Sequence, residues 1–162
     1  MKKQIRILAV LAVGLLAWFG WSTLHPQKAA ASNDPSGTFL ITINDATSGA
    51  FVSKSVVTLH ADHSVAVIDS GQEGGPVPFS SQQGVWEQDP SGVLEARTLD
   101  FSFPFATEGS ARVDYKFNAG VPANQVQGSI VLTFFPPNGN PLDGGGTVGG
   151  TFNFTGTRVT VP

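Results

Sequence analysis

Cysteine is absent from the 162-residue sequence. That excludes disulfide staples, thiolate metal ligands and a cysteine nucleophile together. Tyrosine occurs once, at Tyr115, and methionine only at position 1. Basic residues are scarce where they would matter. Four of the nine (Lys2, Lys3, Arg6, Lys28) precede Ser32, while all twelve acidic residues follow it, so the remainder carries five against twelve, a balance of −7. A nucleic-acid partner requires a basic footprint and is excluded on that count. An anionic membrane surface is disfavoured for the same reason. Serine chemistry also lacks its parts. There is no G-x-S-x-G phrase, and beyond residue 31 the only histidines are His60 and His63. No catalytic set and no cofactor are expected.

The long apolar run that does exist lies at the start. Lys2, Lys3 and Arg6 precede an uncharged apolar stretch from Ile7 to Trp21, and Ala29, Ala30 and Ala31 supply small residues just before Ser32. This is the layout of a cleaved secretory signal over residues 1–31, which places the protein outside the cytoplasm, in a periplasm or beyond the cell. The alternative is a retained anchor, since Ile7 to Leu24 is near the lower limit of roughly 17 residues for a membrane span. Membrane contact is expected only through this segment. Residues 32–36 read as a tether and 37–162 as one domain. A domain of that size buries about two-thirds of its unfolded surface and needs no staples.

Within the domain, period-2 alternation dominates and Gly and Pro punctuate it. Candidate strands cover Gly37–Asn44, Ser53–His60, Ser64–Asp69, Gly84–Gln88, Val93–Phe105, Ala111–Phe117, Val126–Phe135 and Gly150–Val161. Ala61–His63 and Asp89–Gly92 have tight-turn chemistry. About eight strands joined mostly by short turns point to an all-β, up-and-down antiparallel barrel, with a β-sandwich as the rival. Gly156 is expected to mark a bulge where the apolar face switches to Val159 and Val161. The stretch from Pro136 to Gly149 looks too rich in Gly and Pro to pack, and is expected to be a mobile rim loop.

Three phrases resemble a known group when taken together: TLHADHSV at 58–65, QGVWE at 83–87 and FTGTRV at 154–159. They are similar to phrases of small exported bacterial proteins with a lipocalin-like (calycin) barrel and no settled activity. His63 stands where that pattern has a turn glycine, and Phe39 where a lipocalin has tryptophan. The resemblance implies that Arg158 covers Phe39 and, with Trp86, closes one end of the barrel. Such a cation–π contact contributes ~0.5–2 kcal/mol.

Candidate sites are few. His60, Asp62 and His63 carry zinc-ligand chemistry, but a hairpin turn explains them equally simply, and no metal is expected. Asn138, Asn140 and Asp143 offer oxygens to calcium without the spacing of a calcium loop. The ionisable residues Glu95, Arg97, Asp100, Arg112 and Asp114 lie on the two middle strands, and Glu95 and Arg97 are in phase with Leu99, Phe101 and Phe103. If that face points inward, the two charges orient a ligand or act as acid and base; a solvated rim is the simpler reading. Arg112 and Asp114 oppose Val113 and Tyr115, so they face solvent. The aromatic residues Phe101, Phe103, Phe105, Tyr115, Phe117, Phe134, Phe152 and Phe154 either line a cavity or fill a packed core.

The leading expectation is therefore a non-enzymatic, exported lipocalin-like barrel that binds a small apolar molecule. A barrel enzyme of isomerase or cyclase type, acting on a hydrophobic substrate, is the second. A structural or interaction module of the cell envelope or matrix is the third.

Overall fold

The computed structural model describes residues 34–72, 78–103, 109–118 and 124–162. The expected leader, the first two residues of the tether and Phe105 lie outside them. Eight strands follow in chain order: β1 (Gly37–Asp45), β2 (Phe51–Leu59), β3 (Ser64–Asp69), β4 (Gln82–Gln88), β5 (Leu94–Phe101), β6 (Ser110–Phe117), β7 (Gln125–Phe135) and β8 (Thr147–Arg158). Each pairs antiparallel with its neighbours in sequence, and β8 pairs back onto β1. The result is a closed up-and-down barrel, which leaves no unpaired sheet edge.

Short aspartate turns make the meander possible. Asp45 Oδ1 accepts from the Ser48 amide at 2.7 Å and the Thr47 amide at 3.1 Å between β1 and β2. Asp89 Oδ1 does the same for the Ser91 and Val93 amides between β4 and β5. Between β2 and β3, Asp62 Oδ1 accepts from the Ser64 amide and hydroxyl. His63 adopts φ +67°, the left-handed conformation that glycine tolerates best. Contacts of its ring accompany that conformation: the imidazole stacks on Trp86 at 4.7 Å, and Nδ1 lies 3.2 Å from the Trp86 carbonyl oxygen.

The interior is divided along the barrel axis. Around the end where β1 begins, it is filled by Phe39, Ile41, Val57, Leu59, Val65 and Trp86, with Phe117 and Phe154 meeting edge to face at 5.1 Å. The Arg158 guanidinium lies 4.8 Å over the Phe39 ring and donates to the Ser36 carbonyl at 2.6 Å. Trp86 Nε1 donates to the His60 carbonyl at 2.9 Å, which satisfies the one polar atom of a buried indole. Among the described residues this end is filled by packed side chains.

Two expectations are corrected here. The face of β8 does not switch at Gly156: Phe154 is buried, and two residues beyond Gly156 the Arg158 side chain reaches over the Phe39 ring. A Cβ at Gly156 would lie 2.7 Å from Ile41 Cγ2, so glycine is there to let β1 approach. The register shift of the β7–β8 pair lies instead at Leu132/Thr133, where Leu132 pairs with Gly150 and Thr133 with Val148. The second correction concerns residues 136–149, which are mostly exposed but are tied to the barrel wall. Arg112 on β6 donates to the Pro141 carbonyl at 3.0 Å and the Asp143 carbonyl at 3.2 Å, and its guanidinium lies 5.3 Å over Phe135. Thr133 and Phe135 are buried there, and a Cβ at Gly146 would come within 2.8 Å of both. Gly146 permits this close approach, whereas Gly144 and Gly145 have open space around them.

Candidate functional site

The opposite half of the barrel, where β1 ends and β2 begins, carries polar groups inside. Alternation directs Ser53 and Ser55 of β2, Gln82 of β4, and Thr98 and Asp100 of β5 inward, and all five are buried. Asp69 closes β3. Its Oδ2 accepts from the Ser53 hydroxyl at 2.8 Å and from the Ser55 hydroxyl, while Oδ1 accepts from the Gly71 amide at 2.7 Å. Gln82 Oε1 accepts from Thr98 at 2.7 Å and from the Tyr115 hydroxyl at 2.8 Å. These bonds link β2 to β3 and β4 to β5 and β6 through side chains.

A cavity of ≈ 260 Å³ opens among these groups. Ile43, Val113, Ile130, Leu132 and Phe152 supply its apolar wall, with Phe134 packed near Phe79 at a ring separation of 6.0 Å. Ser53, Asp69, Gln72, Gln82, Asp100 and Tyr115 supply the polar side. The volume sits just below the roughly 300–1,000 Å³ usual for ligand pockets.

Asp100 is the exceptional member. It is 2% exposed. Oδ2 accepts from the Gln72 carboxamide, and Oδ1 has no hydrogen-bond partner among the described residues. A buried polar atom without a partner costs about 1–3 kcal/mol. Burial pushes the Asp100 carboxyl up to about 7, against the lowering influence of the Ala111 backbone and the Gln72 side chain, and the charge of Asp69 adds to the rise. Burial also pushes the Tyr115 hydroxyl up, so it stays protonated and donates to Gln82.

The residues singled out from sequence divide accordingly. Tyr115, Phe134 and Phe152 line the cavity, and Phe117 belongs to the closed half. The inward orientation considered for Glu95 and Arg97 is corrected, because both are on the outer face. Glu95 pairs with Lys116 at 3.0 Å and Arg97 with Asp114 at 2.6 Å, each directly across the β5–β6 register. Phe101 and Phe103 are likewise outside, 48% and 54% exposed. The physical reason is phase: charges opposite the outward Asp114 and Lys116 must themselves face out, and this carries Ala96, Thr98 and Asp100 inward.

The histidine cluster is engaged in turn and ring contacts. Asp62 is occupied by Ser64 and His63 by Trp86, and among the described residues no three His, Cys, Asp or Glu side chains converge. Of the residues considered for calcium, Asn140 Oδ1 accepts from the Leu142 amide, and the backbone carbonyl of Asp143 accepts from Arg112.

Sequence reasoning named Asp100 among the ionisable residues of the middle strands without reading it as inward, and missed Asp69, Gln72, Gln82 and Thr98. The available signal was cross-strand complementarity: Glu95 opposite Lys116 and Arg97 opposite Asp114 fix the outer face of β5.

Comparison with protein-family models, with curated proteins and with solved structures finds no match to this chain.

Proposed function

We propose that this protein binds a small amphipathic molecule in the open half of its barrel, and does so after export. The observation that carries the reading is Asp100: a buried carboxyl, one oxygen of which has no hydrogen-bond partner among the described residues, on the lining of a cavity otherwise walled by Ile130, Leu132, Phe134 and Phe152. A packed core has no use for such a group, whereas a binding site needs a polar group to orient its ligand. The polar lining also shifts the expected ligand from purely apolar to amphipathic. Export is supported by the leader-like sequence of residues 1–31.

Native mass spectrometry of the protein purified gently from its own host tests the reading. The expected result is an excess mass that disappears on denaturation and is absent from an Ala111→Leu variant. Ala111 is buried on the cavity wall, so added bulk there removes the space. Identical native and denatured masses in fresh wild-type protein would overturn it.

A second reading rests on the same carboxyl. A group poised at about 7 can take and return a proton near neutral pH, as an isomerase or cyclase acting on a hydrophobic substrate requires. The two differ in one outcome: a binder releases its molecule unchanged, and an enzyme returns it as a product isomer.

A further inference from the structure

We propose that the ligand of this cavity is a small organic cation, an arylalkyl- or alkylammonium whose head lies at Asp100 and Asp69 and whose body lies along Leu132, Phe134 and Phe152. The inference rests on the binding reading above and adds the charge of the ligand.

Charge within the cavity is one-sided. Two of its described lining residues are acidic and none is Lys, Arg or His. Each cationic side chain near β5 and β6 is engaged on the outer face: Arg97 and Arg112 with Asp114, and Lys116 with Glu95. Among the described residues there is therefore no internal counter-charge to Asp100, although buried carboxylates are ordinarily paired. A neutral hydroxyl would give Oδ1 one hydrogen bond and leave the charge uncompensated. An anion would meet two carboxylates in a site of low dielectric. An ammonium head supplies three donors and the missing charge.

Geometry agrees with the division of such a molecule. The acidic groups and Gln72 lie together on one side of the cavity, linked to β2 through Ser53 and Ser55. The apolar wall of β7 and β8 lies on the other, ending in Phe134 and Phe79. Aromatic faces at the cavity also attract cations.

Isothermal titration of the full-length protein at about pH 8, where Asp100 is ionised, uses three probes of one shape. These are phenethylamine, phenethyl alcohol and phenylacetate. The expected order is amine first, by about tenfold or more over the alcohol, with phenylacetate not binding. Asp100→Asn is close to isosteric and removes a buried charge, so it retains the fold. It abolishes the advantage of the amine over the alcohol. Asp69→Asn, as an independent variant, weakens the amine less. Alcohol or phenylacetate binding as tightly as the amine would overturn the cationic inference and leave the cavity reading intact. Failure of the amine to bind overturns the inference too, whereas the binding reading stands or falls on the native mass.

Discussion

Asp100 couples the cavity to pH. Its carboxyl is at about 7 in the folded protein against an ordinary 3.8, so between those values the folded chain holds a proton that the unfolded chain has released. Stability from this group therefore falls as pH rises through that window and is lowest above it. Asp45, Asp62 and Asp89 are held below the ordinary value by turn hydrogen bonds. Their contribution is lost only at lower pH and does not overlap. The groups facing Asp100 are Asp69, the protonated Tyr115 and the neutral Gln72. Thermal melts should accordingly show wild type gaining stability from about pH 8 to about pH 5, with Asp100→Asn more stable at the upper end and flat across the range. The opposite slope would contradict the assignment. Phenethylamine affinity should run the other way, weakening up to about tenfold per pH unit below about 7, because the cation needs the ionised carboxyl. At the closed end, Arg158→Met removes both the contact with Phe39 and the bond to Ser36. Urea denaturation should register a loss of about 1–3 kcal/mol, partly recovered in Arg158→Lys.

Elements behave according to which of their faces the chain can afford to expose. β6 was legible from sequence because Arg112, Asp114 and Lys116 strictly alternate with Val113, Tyr115 and Phe117, and the structure buries the second set. β5 was not, because both of its faces are mixed. Phe101 and Phe103 suggested an inward aromatic row, and only the pairing of Glu95 with Lys116 and Arg97 with Asp114 reveals the true phase. A one-residue change of phase moved the site from two surface charges to Asp100 and Thr98. The order, number and closure of the strands followed from turn chemistry and period 2, whereas the polar half of the interior did not, because its residues look individually like surface positions. The anchoring of the loop after β7 was not legible for a related reason: what ties it to the barrel is Arg112, which is remote in sequence. Hydrogen exchange should confirm that dependence. In Arg112→Ala the Leu142 and Asp143 amides exchange faster while those of β1 and β2 are unchanged, and equal protection in both proteins would contradict it.

At the scale of the whole molecule, the barrel is two halves with different solvents in mind. One is plugged by Phe39, Arg158 and Trp86 and packed with aliphatic and aromatic side chains. The other keeps a space of ≈ 260 Å³ bordered by two carboxylates. Closure by hydrogen bonds around all eight strands lets the second half stay underfilled without losing the fold. The measurement that tests this most directly is amide chemical-shift mapping of the full-length protein during titration with phenethylamine at about pH 8. The account predicts shifts concentrated at Ser53, Asp69, Gln82, Asp100 and Ala111, with Phe39, Leu59 and Phe117 unmoved. Shifts gathered at the closed end, or spread over the outer charge ladder of β5 and β6, would contradict it.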